Sequence, residues 1–204
     1  MKKGVGLAIA VERIMGFAPQ MGGVFSAADL ASVIGGGADL YNQRMIGRLV
    51  RAGIISRVLK GLYATKNCDL WTLSARVSEY SYVSMDSSLA RHGLTGSVPQ
   101  RSLSVVYNGR KRTVSAPSGS VHFYSISPEF YFGFSKLTSG VNMADPEKAF
   151  IDLLYFYVKG ARFLIDPLKD VNVERLDKKK LFAYLKKHKN PKFIKFVKGC
   201  LKIS

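Results

Sequence analysis

Apolar residues in the first third of the chain recur at helical spacing and then give way to two short β-like runs. This pattern predicts three helices followed by a hairpin. Residues 6–17 read as an amphipathic helix. A second helix starts at Ser26, an N-cap residue with acidic Asp29 three positions on. Phe25 and Leu30 fall at the N′ and N4 positions of a hydrophobic staple. Gly35-Gly36-Gly37 end that helix near Ile34, and Asp39 caps a third helix over about 40–52 that Gly53 closes at C′. At 100° per residue, Met45, Ile46, Leu49 and Val50 of the third helix gather on one side, and Tyr41, Arg44, Arg48 and Arg51 on the other. Strands at Ile54–Val58 and Leu62–Thr65 follow, turned by Leu59-Lys60-Gly61.

From Asp69 the pattern becomes mixed α and β. Residues 69–78 look helical and Tyr80–Ser84 looks like a strand. Asp86 is placed to cap a short helix that Gly93 ends. Leu103–Tyr107 and Arg110–Ser115 flank Asn108-Gly109, a pair that favours a type I′ turn and predicts a hairpin. Val121–Ser127 predicts another strand. Asp145-Pro146 opens a helix with Pro at N1, whose apolar stripe is Ala149, Phe150, Leu153, Leu154 and Tyr157. Two basic helices, 174–189 and 191–202, close the sequence around Asn190-Pro191. The fold class expected is α+β, divided into 1–67 and 68–204.

Charge adds a partner class to this outline. The chain has 204 residues with 31 Lys+Arg against 14 Asp+Glu, a net charge of +17. The excess lies at the two ends: residues 1–66 carry 9 − 3 = +6, residues 67–169 carry 11 − 8 = +3, and residues 170–204 carry 11 − 3 = +8. Such a field attracts nucleic acid, anionic membrane or an acidic protein surface. Cys68 and Cys200 read as free buried thiols in a reducing compartment. His92, His122 and His188 lack metal-ligand spacing, so neither a metal nor a cofactor is expected. The apolar run Val5–Val11 meets Glu12 and Arg13 too soon for a secretory signal, and no stretch is long enough to span a membrane. The expected location is the cytoplasm.

Helix, glycine-bearing turn, helix and hairpin outline an N-terminal winged helix-turn-helix. Its third helix would enter a major groove, where Arg44, Arg48 and Arg51 reach guanine edges or phosphates and Tyr41 lies on the same face. Arg57, Lys60 and Lys66 would place basic groups on or beside the wing. The same arginines could equally be a solvated face. Farther on, Glu147 suits the first helical turn, and Lys148 and Asp152, four apart, read as a weak surface pair. Ser87, Ser88 and His92 resemble a nucleophile–base set, but no oxyanion donor or orienting carboxylate accompanies them at a recognisable spacing. No enzymatic activity and no small-molecule substrate are expected. In the last helix Lys192, Lys195, Lys198 and Lys202 share one face, opposite Phe193, Val197, Cys200 and Leu201.

Four stretches, FSAADL at 25–30, GRLVRAGIISRVLKGLYA at 47–64, VSMDSSLARHGL at 83–94 and MADPEKAFIDLLY at 143–155, carry a family likeness. With them the chain resembles the AbiEi family of antitoxins from bacterial abortive-infection, type IV toxin–antitoxin systems. The first two stretches are common to many winged helices, whereas the last two, in this order after a wing, are far more specific. The resemblance implies an N-terminal domain that represses its own operon by binding double-stranded DNA at the operator. It also implies a C-terminal antitoxin domain, of mixed α/β build with basic C-terminal helices, that counteracts a nucleotidyltransferase-like toxin. Residues expected to touch toxin or DNA are Asp86, Arg91 and His92, then Glu147, Lys148 and Asp152, and the lysine face Lys192, Lys195 and Lys198. The alternatives are a protein-interaction module with a vestigial helix-turn-helix and a plain transcriptional regulator.

Overall fold

A computed structural model describes residues 6–35, 39–97 and 99–201 and shows a mixed α+β protein. Helix α1, Leu7–Phe17, buries Ala10 and Ile14. Strand β1, Val24–Ser26, runs directly into α2, Ala27–Ile34. Ser26 and Asp29 form the reciprocal capping box, and Phe25 and Leu30 are both fully buried, as the staple requires. Gly35 ends α2 in the left-handed conformation at φ 71°. Helix α3 is Asp39–Arg51, so Asp39 is its first helical residue rather than its cap, and Gly36, Gly37 and the residue after them lie outside the described residues.

Met45, Ile46 and Leu49 of α3 are buried, but Val50 is 36% exposed. The reason is angular. Asn42 occupies the buried face as well, which recentres that face and leaves Val50 and Tyr41 about a quarter turn off its middle. Tyr41 is therefore half-buried against the core rather than opposite it. Strands β2, Ser56–Leu59, and β3, Leu62–Ala64, pair antiparallel around Lys60-Gly61, with Gly61 at φ 77°. Strand β1 adds to β3, with Val24 opposite Ala64, giving the order β1-β3-β2.

Helix α4, Leu70–Val77, is capped by Asp69, whose carboxylate accepts from the amides of Trp71 and Thr72. A six-stranded mixed sheet follows. Its strands are β4 Ser81–Val83, β5 Ser102–Tyr107, β6 Arg112–Ala116, β7 Gly119–Ser125, β8 Phe134–Lys136 and β9 Asn142–Ala144. Their spatial order is β6-β7-β5-β4-β9-β8. The expected hairpin of 103–107 with 110–115 does not form: β6 pairs with β7, and β5 runs parallel to β7. Neither Asn108 nor Gly109 adopts the positive φ that a type I′ turn needs. The tight turn lies instead at Pro117-Ser118.

Helices α5, Met85–Arg91, and α6, Pro146–Val158, cover one face of this sheet together with α7, Lys178–Leu185, and α8, Pro191–Cys200. Along β4 the side chains alternate. Tyr82 enters the cluster beneath α5 and α6, while Val83 enters the opposite one with Leu73 of α4. That second cluster also holds Val24, Leu62 and Ala64 of the first sheet, so a shared apolar layer runs across residue 67. Asp86 lies inside α5 rather than capping it, since the N-cap is Ser84. The buried stripe on α6 is wider than expected and shifted: Ile151 and Phe156 are buried, whereas Tyr157 is 38% exposed. The expected helix 174–189 is broken, because Asp177 caps α7 after a short 3-10 turn at Val173–Arg175.

Candidate nucleic-acid interface

The outer face of α3 carries Arg44, Arg48 and Arg51, all exposed, and the β2–β3 hairpin beside it carries exposed Arg57 and Lys60. Lys66, just past β3, is exposed too. Among the described residues none of these six cations is in an ion pair; the ion pairs formed use Arg76, Lys148, Lys169 and Lys180. Buttressing comes from behind. Arg13 of α1 donates to the Ile34 carbonyl at 2.8 Å, closing the end of α2. Arg76 of α4 meets Asp29 at 2.6 Å. Burial raises the Asp29 pKa, but the amide and hydroxyl of Ser26 and the Arg76 guanidinium outweigh it and hold the carboxyl below its ordinary value.

The fold adds a basic run that reading the sequence as a hairpin strand obscured. Strand β6 packs beside β2, and Arg110, Lys111 and Arg112 at its start are all exposed. The Arg112 guanidinium lies 5.2 Å from the Phe123 ring centre and 5.7 Å from that of Tyr107, which orients it. The signal available in the sequence was the Arg-Lys-Arg triplet itself; that its strand lies beside β2 depends on tertiary pairing.

Elsewhere the predicted contact residues divide by burial. Asp86, Ser87 and Ser88 are buried, and only Arg91 and His92 of that group reach solvent. The hydroxyl of Ser87 accepts from the Ser104 amide, while Ser88 donates to the Ala144 carbonyl, which His92 Nε2 also meets at 3.1 Å. These hydroxyls are committed to backbone and do not face one another as nucleophile and base. Burial pushes the Asp86 carboxyl above its ordinary pKa, against the opposing pull of hydrogen bonds from Ser104 and Ser87.

The expected surface pair on α6 is instead interior. Lys148 and Asp152 are 0% and 1% exposed and meet at 2.5 Å. The second oxygen of Asp152 accepts from Tyr82 Oη at 3.0 Å and Ser84 Oγ at 2.8 Å. Glu147 is also buried and accepts from the Asp177 amide, while Lys180 bridges Glu147 and Asp145. Burial raises Asp152, opposed by Lys148, and places the Tyr82 hydroxyl well above its ordinary value. Asp86, Glu147, Lys148 and Asp152 are therefore withdrawn from any contact surface. On α8 the faces separate as expected: Lys192, Lys195 and Lys198 are exposed and Phe193 and Val197 buried, while Lys202 lies outside the described residues.

Among the described residues no group of acidic, His or Cys side chains is placed to hold a metal ion. No described helix is long and apolar enough to cross a membrane. No protein-family model matches the chain, and no curated protein matches it. Among solved structures it is similar to the Rv2827c protein from Mycobacterium tuberculosis. The TM-score is 0.64 at 15% identity, over 95% of this chain and 76% of that one. That likeness concerns the fold.

Proposed function

We propose that the protein is a DNA-binding transcriptional autorepressor and the antitoxin of a toxin–antitoxin system. The observation that carries the DNA-binding part is the row of exposed arginines, Arg44, Arg48 and Arg51, on the outer face of α3 beside the cationic hairpin. Three helices with a β1-β3-β2 sheet fit a winged helix-turn-helix, in which α3 lies in the major groove and the β2–β3 wing follows the flanking backbone. Arg44 and Arg48 are assigned to base edges; Arg51, Arg57, Lys60 and the Arg110–Arg112 run are assigned to phosphates.

The antitoxin part rests on the resemblance to AbiEi proteins. With Asp86, Glu147, Lys148 and Asp152 buried, the surface left for a nucleotidyltransferase-like toxin is Arg91, His92 and the lysine face of α8. A basic face suits the catalytic carboxylates such a toxin carries. Co-expression with the product of the neighbouring gene, scored as growth rescue, tests this. Rescue by the wild type that is lost in Lys192→Glu/Lys195→Glu/Lys198→Glu supports the assignment. Burial of the four residues drawn from the family-like helices also favours a second reading, a plain transcriptional regulator. Operator binding without any rescue would establish it.

A further inference from the structure

A concave pocket of about 450 Å³ opens between the 3-10 turn Pro128–Phe130, the end of α6 and the α7–α8 junction. Its floor is aromatic. Phe130 and His188 stack with ring centres 4.3 Å apart and planes 6° from parallel. Tyr155 and Phe193 close around that stack, the two rings 5.8 Å apart and nearly perpendicular. The rim is cationic: Lys159, Lys187 and Lys189 are exposed there, against the one carboxylate of Glu129. Lys159 Nζ is 4.1 Å from the Tyr155 ring centre and donates to its hydroxyl, so this ammonium is already held at the pocket. Lys187 is ordered likewise, 3.7 Å over Phe132.

His188 forms the back of that floor. It is 5% exposed, and its Nε2 has no hydrogen-bond partner among the described residues, a costly arrangement for a buried ring nitrogen. An aromatic floor alone would suit any flat apolar ligand, and a lysine rim alone any anion. Together they select a ligand with a planar ring and a negative group a few ångströms away.

We propose that this pocket binds a nucleotide, its base against the half-buried Phe130 and Tyr155 rings and its phosphate among Lys159, Lys187 and Lys189. Every base has a π-face, and stacking on protein rings strengthens binding without sequence preference. The volume lies within the range of small-molecule sites. The site is separate from α3 and does not depend on the DNA-binding reading.

The test is a titration of the full chain with AMP, GMP, CMP and UMP, read from the NMR signals of the His188 and Tyr155 rings. At least one nucleotide should give saturable shifts with Kd of about 1 mM or tighter. The matching nucleoside and inorganic phosphate should each bind at least roughly tenfold more weakly, since each lacks one half of the contact. Lys159→Gln/Lys189→Gln, two exposed changes, should also weaken binding about tenfold while the thermal midpoint of the free protein stays in place. A single-stranded oligonucleotide that moves the same signals more tightly than any mononucleotide assigns the ligand to an unpaired nucleotide of a strand; a weaker oligonucleotide assigns it to the free nucleotide. Ring signals unmoved by every nucleotide, phosphate binding as well as the best nucleotide, or full affinity in the double variant would each overturn the proposal.

Discussion

Lys148 and Asp152, one turn apart on α6, form an ion pair from which water is excluded on every side. Tyr82 and Ser84 complete it from β4, so the pair ties the central helix to the sheet. Removing one partner leaves an uncompensated buried charge. Lys148→Met should therefore cost about 3–5 kcal/mol in urea unfolding, with Asp152→Leu similar. The double variant should recover at least half of that loss, less about 1–3 kcal/mol for the stranded Tyr82 and Ser84 hydroxyls. Additive single effects would show that the charges act independently.

His188 makes stability depend on pH. Its pKa is lowered to about 4, first by burial and then by the nearby Lys148 charge. The unfolded chain binds this proton near the ordinary value of about 6.5, so folding stability falls as the pH drops from 6.5 towards 4 and this contribution levels off below that. In His188→Phe, which keeps the ring stacked on Phe130, that slope should be lost, measured by chemical denaturation at pH 7, 6, 5 and 4. An unchanged slope would assign the acid sensitivity to other groups.

Gly119 fixes the start of β7 against β5. A Cβ there would collide with the carbonyl of Arg101, which accepts from the Ser120 amide. Gly119→Ala should cost about 1–3 kcal/mol by forcing the two backbones apart. A thermal midpoint equal to that of the wild type would contradict this.

What the sequence made legible is local. Ser26 and Asp145 announce helix starts through backbone amides a few residues away, and both cap as their chemistry dictates. The faces of α3 and α8 follow from periodicity, apart from Val50 and Tyr41 at the margins of the α3 face. What was hidden depends on distant partners. Asn108-Gly109 favours a hairpin in isolation, yet β7 takes the place beside β5, and tertiary pairing outweighs turn propensity. The Lys148–Asp152 spacing cannot reveal whether water or Tyr82 surrounds it. β1 was missed because its three residues also serve as the entry to α2.

The apolar layer shared across residue 67 carries a further expectation. A fragment ending at Lys66 would bare Val24, Leu62 and Ala64, which pack with Leu70, Leu73 and the second sheet. The full chain should unfold in one cooperative transition, and the fragment should melt at a lower temperature than the whole. Two well-separated calorimetric transitions in the full chain would contradict that coupling.

Helix α3 is proposed to read the operator. Gel-shift titration of the upstream DNA at several salt concentrations, comparing wild type with Arg44→Ala/Arg48→Ala and with Lys60→Ala, tests it most directly. Each arginine should contribute about 1–3 kcal/mol to specific binding, so the double variant loses most of its preference for the operator over unrelated duplex. Lys60→Ala should weaken all duplexes alike and reduce the salt slope by about one unit. Operator affinity and specificity unchanged in the double variant would contradict the account.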